Sequence, residues 1–235
     1  MIIKVDIWQQ NLELETDPQL FSPRQADAGT LAMLAQVQLR ETDRVLDLGC
    51  GYGLVGLAAA RVLGPDRVVL VDIDPLAVRL ARQNAQRNRC PPVRIVTGDG
   101  PAATGPEQFN LILCNPPYHT DFTVARRFIE QSFSMLDEGG RLFMVVKRLT
   151  WYQKKMAGVF GGVQVKPVSG YYVLMSEKRQ PALGGKDIRT VGSAAGDPAV
   201  TTTRKHRKRL LKAAERRTLQ PRRHRGPRDA NNNDK

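Results

Sequence analysis

The sequence predicts an α/β fold, a doubly wound seven-stranded sheet, mostly parallel, with an antiparallel C-terminal hairpin strand. Three observations predict it. Short apolar runs alternate with helix-like segments between residues 44 and 176, which sets parallel strands under helices on both faces. The first apolar run passes directly into a glycine-rich loop, the place where open α/β sheets receive ligands. The last two runs are separated by Ser169-Gly170, a tight turn instead of a crossover helix.

Each element follows in order. Residues 44–48 (RVLDL) make the first strand and the Ala-rich 54–63 its helix. Residues 67–71 make the second strand. The next helix runs from Pro75 to about Asn88, and Pro75 suits a first turn, where an N–H has no intrahelical acceptor. Residues 93–96 and 109–114 are the third and fourth strands. Residues 122–136 form an amphipathic helix closed by Gly139-Gly140, followed by a fifth strand over 141–146 and a helix over 150–160. Residues 163–167 and 171–176 form the terminal hairpin, which adds an antiparallel edge strand.

Charge divides the chain differently. The formal charge is +13, and 41% of residues are hydrophobic, enough for a core. Residues 181–235 hold 15 Lys/Arg against 5 Asp/Glu, a net of +10, whereas residues 1–180 hold 21 against 18. Composition also changes near Gln180-Pro181, into Gly184-Gly185 and Gly192-Ser193-Ala194-Ala195-Gly196. The expected organisation is a folded domain over 1–180 and a basic, disordered tail over 181–235, too poor in large apolar side chains to fold alone. Thr203 can cap a short basic helix through about Leu219, formed on a partner. A basic tail points to a polyanion, RNA first. Cys50, Cys90 and Cys114 make no CxxC pair, so no metal site is expected. The start of the chain has no signal-peptide layout, and no apolar run approaches a membrane span. A soluble, cytoplasmic protein is expected.

The glycine loop is Asp47-Leu48-Gly49-Cys50-Gly51-Tyr52-Gly53-Leu54-Val55-Gly56. Gly49, Gly51 and Gly53 let a ligand approach the backbone. Asp72 ends the second strand, where a carboxylate can accept both ribose hydroxyls of an adenosine. Gly51-x-Gly53-x-x-Gly56 also fits a dinucleotide fingerprint. Two features favour S-adenosyl-L-methionine over NAD, and the first is Asp47: a carboxylate there suits the ammonium of a methionine moiety and repels a pyrophosphate. Gly98-Asp99-Gly100 follows the third strand, where a side chain can meet an adenine amino group. Ile73 beside Asp72, Gly100 beside Asp99, and Asn115 at the end of the fourth strand join the set expected to hold S-adenosyl-L-methionine. The bland alternative is that these glycines only turn the chain.

Asn115-Pro116-Pro117-Tyr118 follows the fourth strand and faces the same crevice. The prolines restrict the backbone and hold the Pro116 carbonyl outward. The Asn115 side-chain oxygen and that carbonyl can accept both hydrogens of an –NH2 group. An aryl or amide nitrogen is a poor nucleophile because its lone pair is delocalised, and two acceptors favour the pyramidal form. Tyr118 offers a flat face for stacking, worth about 1–3 kcal/mol per base. These four residues are the expected catalytic set, working by orientation and electrostatics. His119 reads as a surface hydrogen-bonding residue, and Cys50 and Cys114 as packing residues. Trp151-Tyr152 with Lys154-Lys155 reads as a helix with a solvated basic face.

With these motifs in place, the chain resembles the small-domain methyltransferases of ribosomal RNA, the group that includes guanine-N2 enzymes. The resemblance covers roughly residues 18–178. Besides the motifs above it rests on Phe21-Ser22, Asp27-x-Gly29-Thr30, and a Phe160-Gly161 helix end running into Gly170-Tyr171-Tyr172-Val173-Leu174. It implies a Rossmann-like methyltransferase fold, with Phe21 and Ser22 helping to close over the cofactor. It also implies guanine N2 of rRNA, or of a ribosomal subunit, as the acceptor. Larger members carry a second, inactive copy of the fold before the catalytic one. Only one copy is read here, and the basic tail is outside the family pattern; it can take over RNA binding. Alternatives left open are a protein glutamine amide, DNA adenine, an NAD oxidoreductase, and a non-enzymatic RNA-binding scaffold.

Overall fold

The computed structural model describes residues 1–117 and 122–179. Tyr118, His119, and the tail over 181–235 with its proposed helix lie outside the described residues.

The central strand β3 (Val45–Leu48), all four residues buried, is flanked by β4 (Val68–Asp72) and β6 (Phe109–Cys114). With β1 (Ile2–Ile7) and β2 (Gln10–Glu15) apart, β5 (Arg94–Thr97), β7 (Leu136–Val146), β8 (Gln164–Val168) and β9 (Tyr171–Glu177) complete a seven-stranded sheet. Its order is β5-β4-β3-β6-β7-β9-β8, parallel from β5 to β7. The expected fold class is therefore observed. Alternate side chains divide the core. Val45, Leu70, Leu111 and Leu113 face one layer, with α1 (Ala28–Leu34), α2 (Leu54–Leu63) and α3 (Pro75–Arg87). Leu46, Leu48, Val71 and Ile112 face the other, with α4 (Phe122–Met135) and α5 (Leu149–Phe160). A Cβ on Gly56 would come within 2.4 Å of Leu70 Cγ. Its absence lets α2 lie close on β4 and brings the helix start down to the strand ends.

Two differences from expectation concern the sheet. Gly139-Gly140 does not simply close α4: β7 already begins at Leu136, opposite Phe109, and shifts register before Leu111 pairs with Arg141. Gly139 N–H donates to the Lys178 carbonyl, and Lys178 N–H to Gly140, so the glycines extend the sheet. In the terminal hairpin the edge strand is β8. The antiparallel strand β9 lies inside, between β7 and β8. Val173 and Leu174 of β9 are buried, whereas β8 carries Pro167, which cannot donate to a ladder and belongs on an edge.

The sequence also hides an N-terminal hairpin, β1–β2, turned at Trp8-Gln9 with φ of 49° and 63°. Such turns usually announce themselves by Asn-Gly or Asp-Gly, absent here. Leu12 and Leu14 bury against α2 and α3. Asn84 of α3 and the C-cap residue Asn88, one turn apart, act as a strand partner. Glu15 N–H donates to Asn84 Oδ1 (2.7 Å) and Glu13 N–H to Asn88 Oδ1 (3.0 Å). Asn84 Nδ2 returns bonds to the carbonyls of Glu15 and Tyr52, both 2.9 Å, tying β2 to the glycine loop. No helix among the described residues is long and apolar enough to cross a membrane.

Candidate active site

The carboxyl ends of β3, β4, β5 and β6 border one cavity of about 440 Å³. Asp47, Gly49, Gly51, Asp72, Ile73, Asp99, Gly100, Asn115, Pro116 and Pro117 all line it, and Phe21 stands at its edge, 58% exposed. Two expected cofactor residues are not in its lining. Gly53 caps α2 at φ 96°, and a Cβ there would meet Leu57 at 3.1 Å and Ala81 at 3.3 Å, so its smallness serves packing of α2 and α3. Ser22 turns its hydroxyl to the Gln25 carbonyl (3.0 Å) and borders a separate hollow beside Met1. Tyr118 lies outside the described residues.

The loop folds around its two acids. Gly49 and Gly51 take φ of 74° and 54°, open to glycine and rarely to other residues. Asp47 Oδ2 accepts from Gly56 N–H (2.7 Å), holding the carboxylate under the start of α2. Asp72 Oδ2 accepts from Gly51 N–H (2.7 Å) and its Oδ1 from Asp74 N–H (3.0 Å), so the loop and the β4 end set its orientation. Asp47 is only 3% exposed. Burial pushes its carboxyl up to about 7; the Gly56 N–H opposes this and the charge of Asp72 adds to it. No Lys or Arg forms an ion pair with Asp47 among the described residues. A buried carboxylate without a cation is costly, and an incoming ammonium is what this position accommodates. The site thus fits S-adenosyl-L-methionine, whose ammonium is a cation that such a buried carboxylate can pair with. Asp99, at the β5 end, is paired with Arg127 of α4.

The Asn115 end of the cavity is built across elements. Asn115 Nδ2 donates to Asp27 Oδ2 and to Thr30 Oγ1, both 2.9 Å. Asp27 is the N-cap of α1, accepting from Thr30 N–H at 2.8 Å. Asp27, Thr30, Tyr52 and Phe128 also line the cavity; the sequence reading assigned them no role there, although Asp27 and Thr30 stood in a noted motif. Burial pushes the thiols of Cys50 and Cys114 far up, with the nearby Asp charges adding, so both stay protonated packing residues. Trp151 stacks on Phe122 with ring centroids 4.3 Å apart, and Lys155 pairs with Glu130. Among the described residues no group of His, Cys, Asp or Glu is arranged to hold a metal ion.

Comparison with known proteins places this geometry. Ribosomal RNA large subunit methyltransferase G of Stutzerimonas stutzeri is 36% identical over 179 residues, covering 72% of this chain and 47% of the relative. Ribosomal RNA small subunit methyltransferase C of Pseudomonas entomophila is 30% identical over 159 residues, covering 66% and 47%. Among solved structures, the Thermus thermophilus 16S rRNA N2 methyltransferase RsmC in complex with AdoMet and guanosine aligns with a TM-score of 0.68 at 27% identity. That alignment covers 76% of this chain and 50% of that one. The chain spans about half the length of the curated relatives it matches. Residues 11–176 match the family model described as methyltransferase small domain, and by that match the chain belongs to this family.

Proposed function

We propose that this chain transfers the methyl group of S-adenosyl-L-methionine to an exocyclic amino nitrogen, guanine N2 of ribosomal RNA. One observation carries the reading. Asn115, Pro116 and Pro117 line the same cavity as Asp72 and the buried Asp47, which has no ion-pair partner among the described residues. A methyl donor and an –NH2 acceptor would therefore share one cavity.

The cofactor, when bound, supplies a methyl on a sulfonium, a good leaving group, so no nucleophilic Ser or Cys is needed. Asp47 holds the ammonium, Asp72 the ribose hydroxyls and Asp99 the adenine amino group. Ile73 and Phe21 give apolar flanks, at 63% and 58% exposure before any ligand covers them. Asn115 Oδ1 and the Pro116 carbonyl would accept the two amino hydrogens and favour the pyramidal nitrogen, and the flat ring of Tyr118 is proposed as a stacking surface for the base. This is catalysis by orientation and fixed dipoles. Choice of guanine in RNA is supported by the two rRNA methyltransferase relatives and by the structure solved with guanosine. The basic segment 181–235 is proposed to add RNA affinity to the activity of the 1–180 domain, in the cytoplasm.

The test is incubation of the full chain with methyl-labelled S-adenosylmethionine and ribosomal subunits or rRNA from cells lacking it, followed by nucleoside analysis. Label in N2-methylguanosine is expected. Label in protein glutamine or in DNA adenine instead, or in nothing, overturns the reading.

A further inference from the structure

The motif Asp27-x-Gly29-Thr30 lies 85 or more residues from Asn115 in sequence, yet it meets the Asn115 amide directly. Both amide hydrogens are engaged, one by a carboxylate and one by a hydroxyl. Asp27 Oδ2 takes three donors: Asn115 Nδ2 at 2.9 Å, Thr30 N–H at 2.8 Å and Thr30 Oγ1 at 3.3 Å. The threonine hydroxyl donates a hydrogen bond to Asp27 and accepts one from Asn115. Turning the Asn115 amide over would set its oxygen against the Asp27 carboxylate, an acceptor facing an acceptor. Asp27 therefore selects one of two otherwise equivalent orientations, the one that turns Oδ1 away from α1. Gly29 keeps the cluster closed: a Cβ there would lie 2.7 Å from the Tyr171 ring and 2.9 Å from Asp27 Oδ2. Tyr171 thus packs on the helix start from β9, and Lys147 at the β7 end lies over the same ring, 5.2 Å from its centroid.

From this network we infer that Asp27 and Thr30 are positioning residues, which hold the Asn115 amide with its oxygen presented to the acceptor amino group. The inference rests on the amino-acceptor reading above and deepens it. The α1 cap and the acceptor site are one hydrogen-bonded unit, so the first helix sets the angle at which the –NH2 is received. Neither residue needs to touch the substrate. Their loss should slow transfer without weakening the cofactor, because the side chains that hold it, Asp47 and Asp72, are anchored separately by Gly56, Gly51 and Asp74.

The full chain is compared with T30V, T30S and D27S. Serine at 27 still caps α1 but is too short to reach Asn115. Valine at 30 keeps the shape and removes the hydroxyl. T30V and D27S are expected to lower kcat about ten- to a hundredfold, the scale set by small misplacements of reacting groups. T30S should stay within about threefold of wild type, and the S-adenosylmethionine Kd from calorimetry should be unchanged in all three. In nitrogen-15 spectra of the protein without substrate, assigned with N115A, the Asn115 side-chain amide protons should exchange slowly in wild type and fast in T30V and D27S. Full kcat in T30V and D27S overturns the proposal, as does a T30S enzyme as slow as T30V, or a matching loss of cofactor affinity. If wild type methylates no RNA, the functional reading falls on its own. The amide exchange then decides the geometry, and fast exchange in wild type overturns it.

Discussion

Asp47 combines two demands that conflict. Its carboxylate is buried and pushed up to about 7, so it costs stability when ionised, yet the proposed contact with the cofactor ammonium requires it ionised. The unfolded chain releases this proton near 3.8 and the folded chain near 7. Between these values the folded state holds more protons, so stability falls as pH rises, and this contribution is gone above about 7. Binding runs the other way: below about 7 a proton competes with the ammonium, and affinity should weaken up to about tenfold per pH unit. D47N separates the effects. Its amide oxygen can still accept from Gly56, so at pH 8 the ligand-free variant should melt no lower than wild type. Its S-adenosylmethionine affinity should drop about ten- to a hundredfold, from the lost charge-assisted bond. Thermal melts from pH 4 to 8 and calorimetry check both. An unchanged Kd in D47N would remove Asp47 from the site.

At the scale of elements, the strand ends are held by contacts that local patterning does not announce. Arg141, at the start of the regular part of β7, pairs with Asp43 just before β3 at 2.7 Å, and both are buried, at 8% and 1% exposure. Arg141 also donates to the Gln38 carbonyl, and Asp43 accepts from Arg40 N–H. Removing one partner leaves an uncompensated buried charge, so D43A should destabilise by about 3–5 kcal/mol in denaturant unfolding. A loss under 1 kcal/mol would mean that the pair does not anchor β3 to β7. The strands and helices from β3 onward were legible because a buried parallel strand is a short apolar run and α2 and α4 carry their own periodicity. The hairpin β1–β2 was not legible. Its turn lacks glycine, and its partner is a pair of asparagines 69 to 75 residues away. Helix α1 was missed for a related reason: seven residues give too little periodicity, and its start was seen only as a motif.

For the whole molecule, function is proposed to divide between a compact catalytic domain and a charged segment. The 15 Lys/Arg beyond residue 180 should give the full chain an RNA affinity that falls steeply with salt, each neutralised phosphate adding about −0.7 to −0.9 to the log–log slope. Deleting residues 181–235 should flatten that slope while the S-adenosylmethionine Kd stays within about threefold. Filter binding across a salt series and calorimetry on the truncated chain measure the two. Loss of cofactor binding on truncation would show that the catalytic domain extends past residue 180.

By itself the sequence determined the α/β class, the glycine loop with Asp47 and Asp72, and the place of Asn115-Pro116-Pro117 at the end of a neighbouring strand. These are local: a few adjacent residues at a strand end carry each signal, and the rule for open parallel sheets places them together. Tertiary structure alone decided which of them share a cavity, excluding Gly53 and Ser22 from its lining, and placed β9 inside the sheet. It also decided which way the Asn115 amide faces. That orientation depends on a carboxylate 88 residues upstream, brought close only when α1 folds against the sheet. An amide has two nearly equivalent faces, and only its surroundings choose between them.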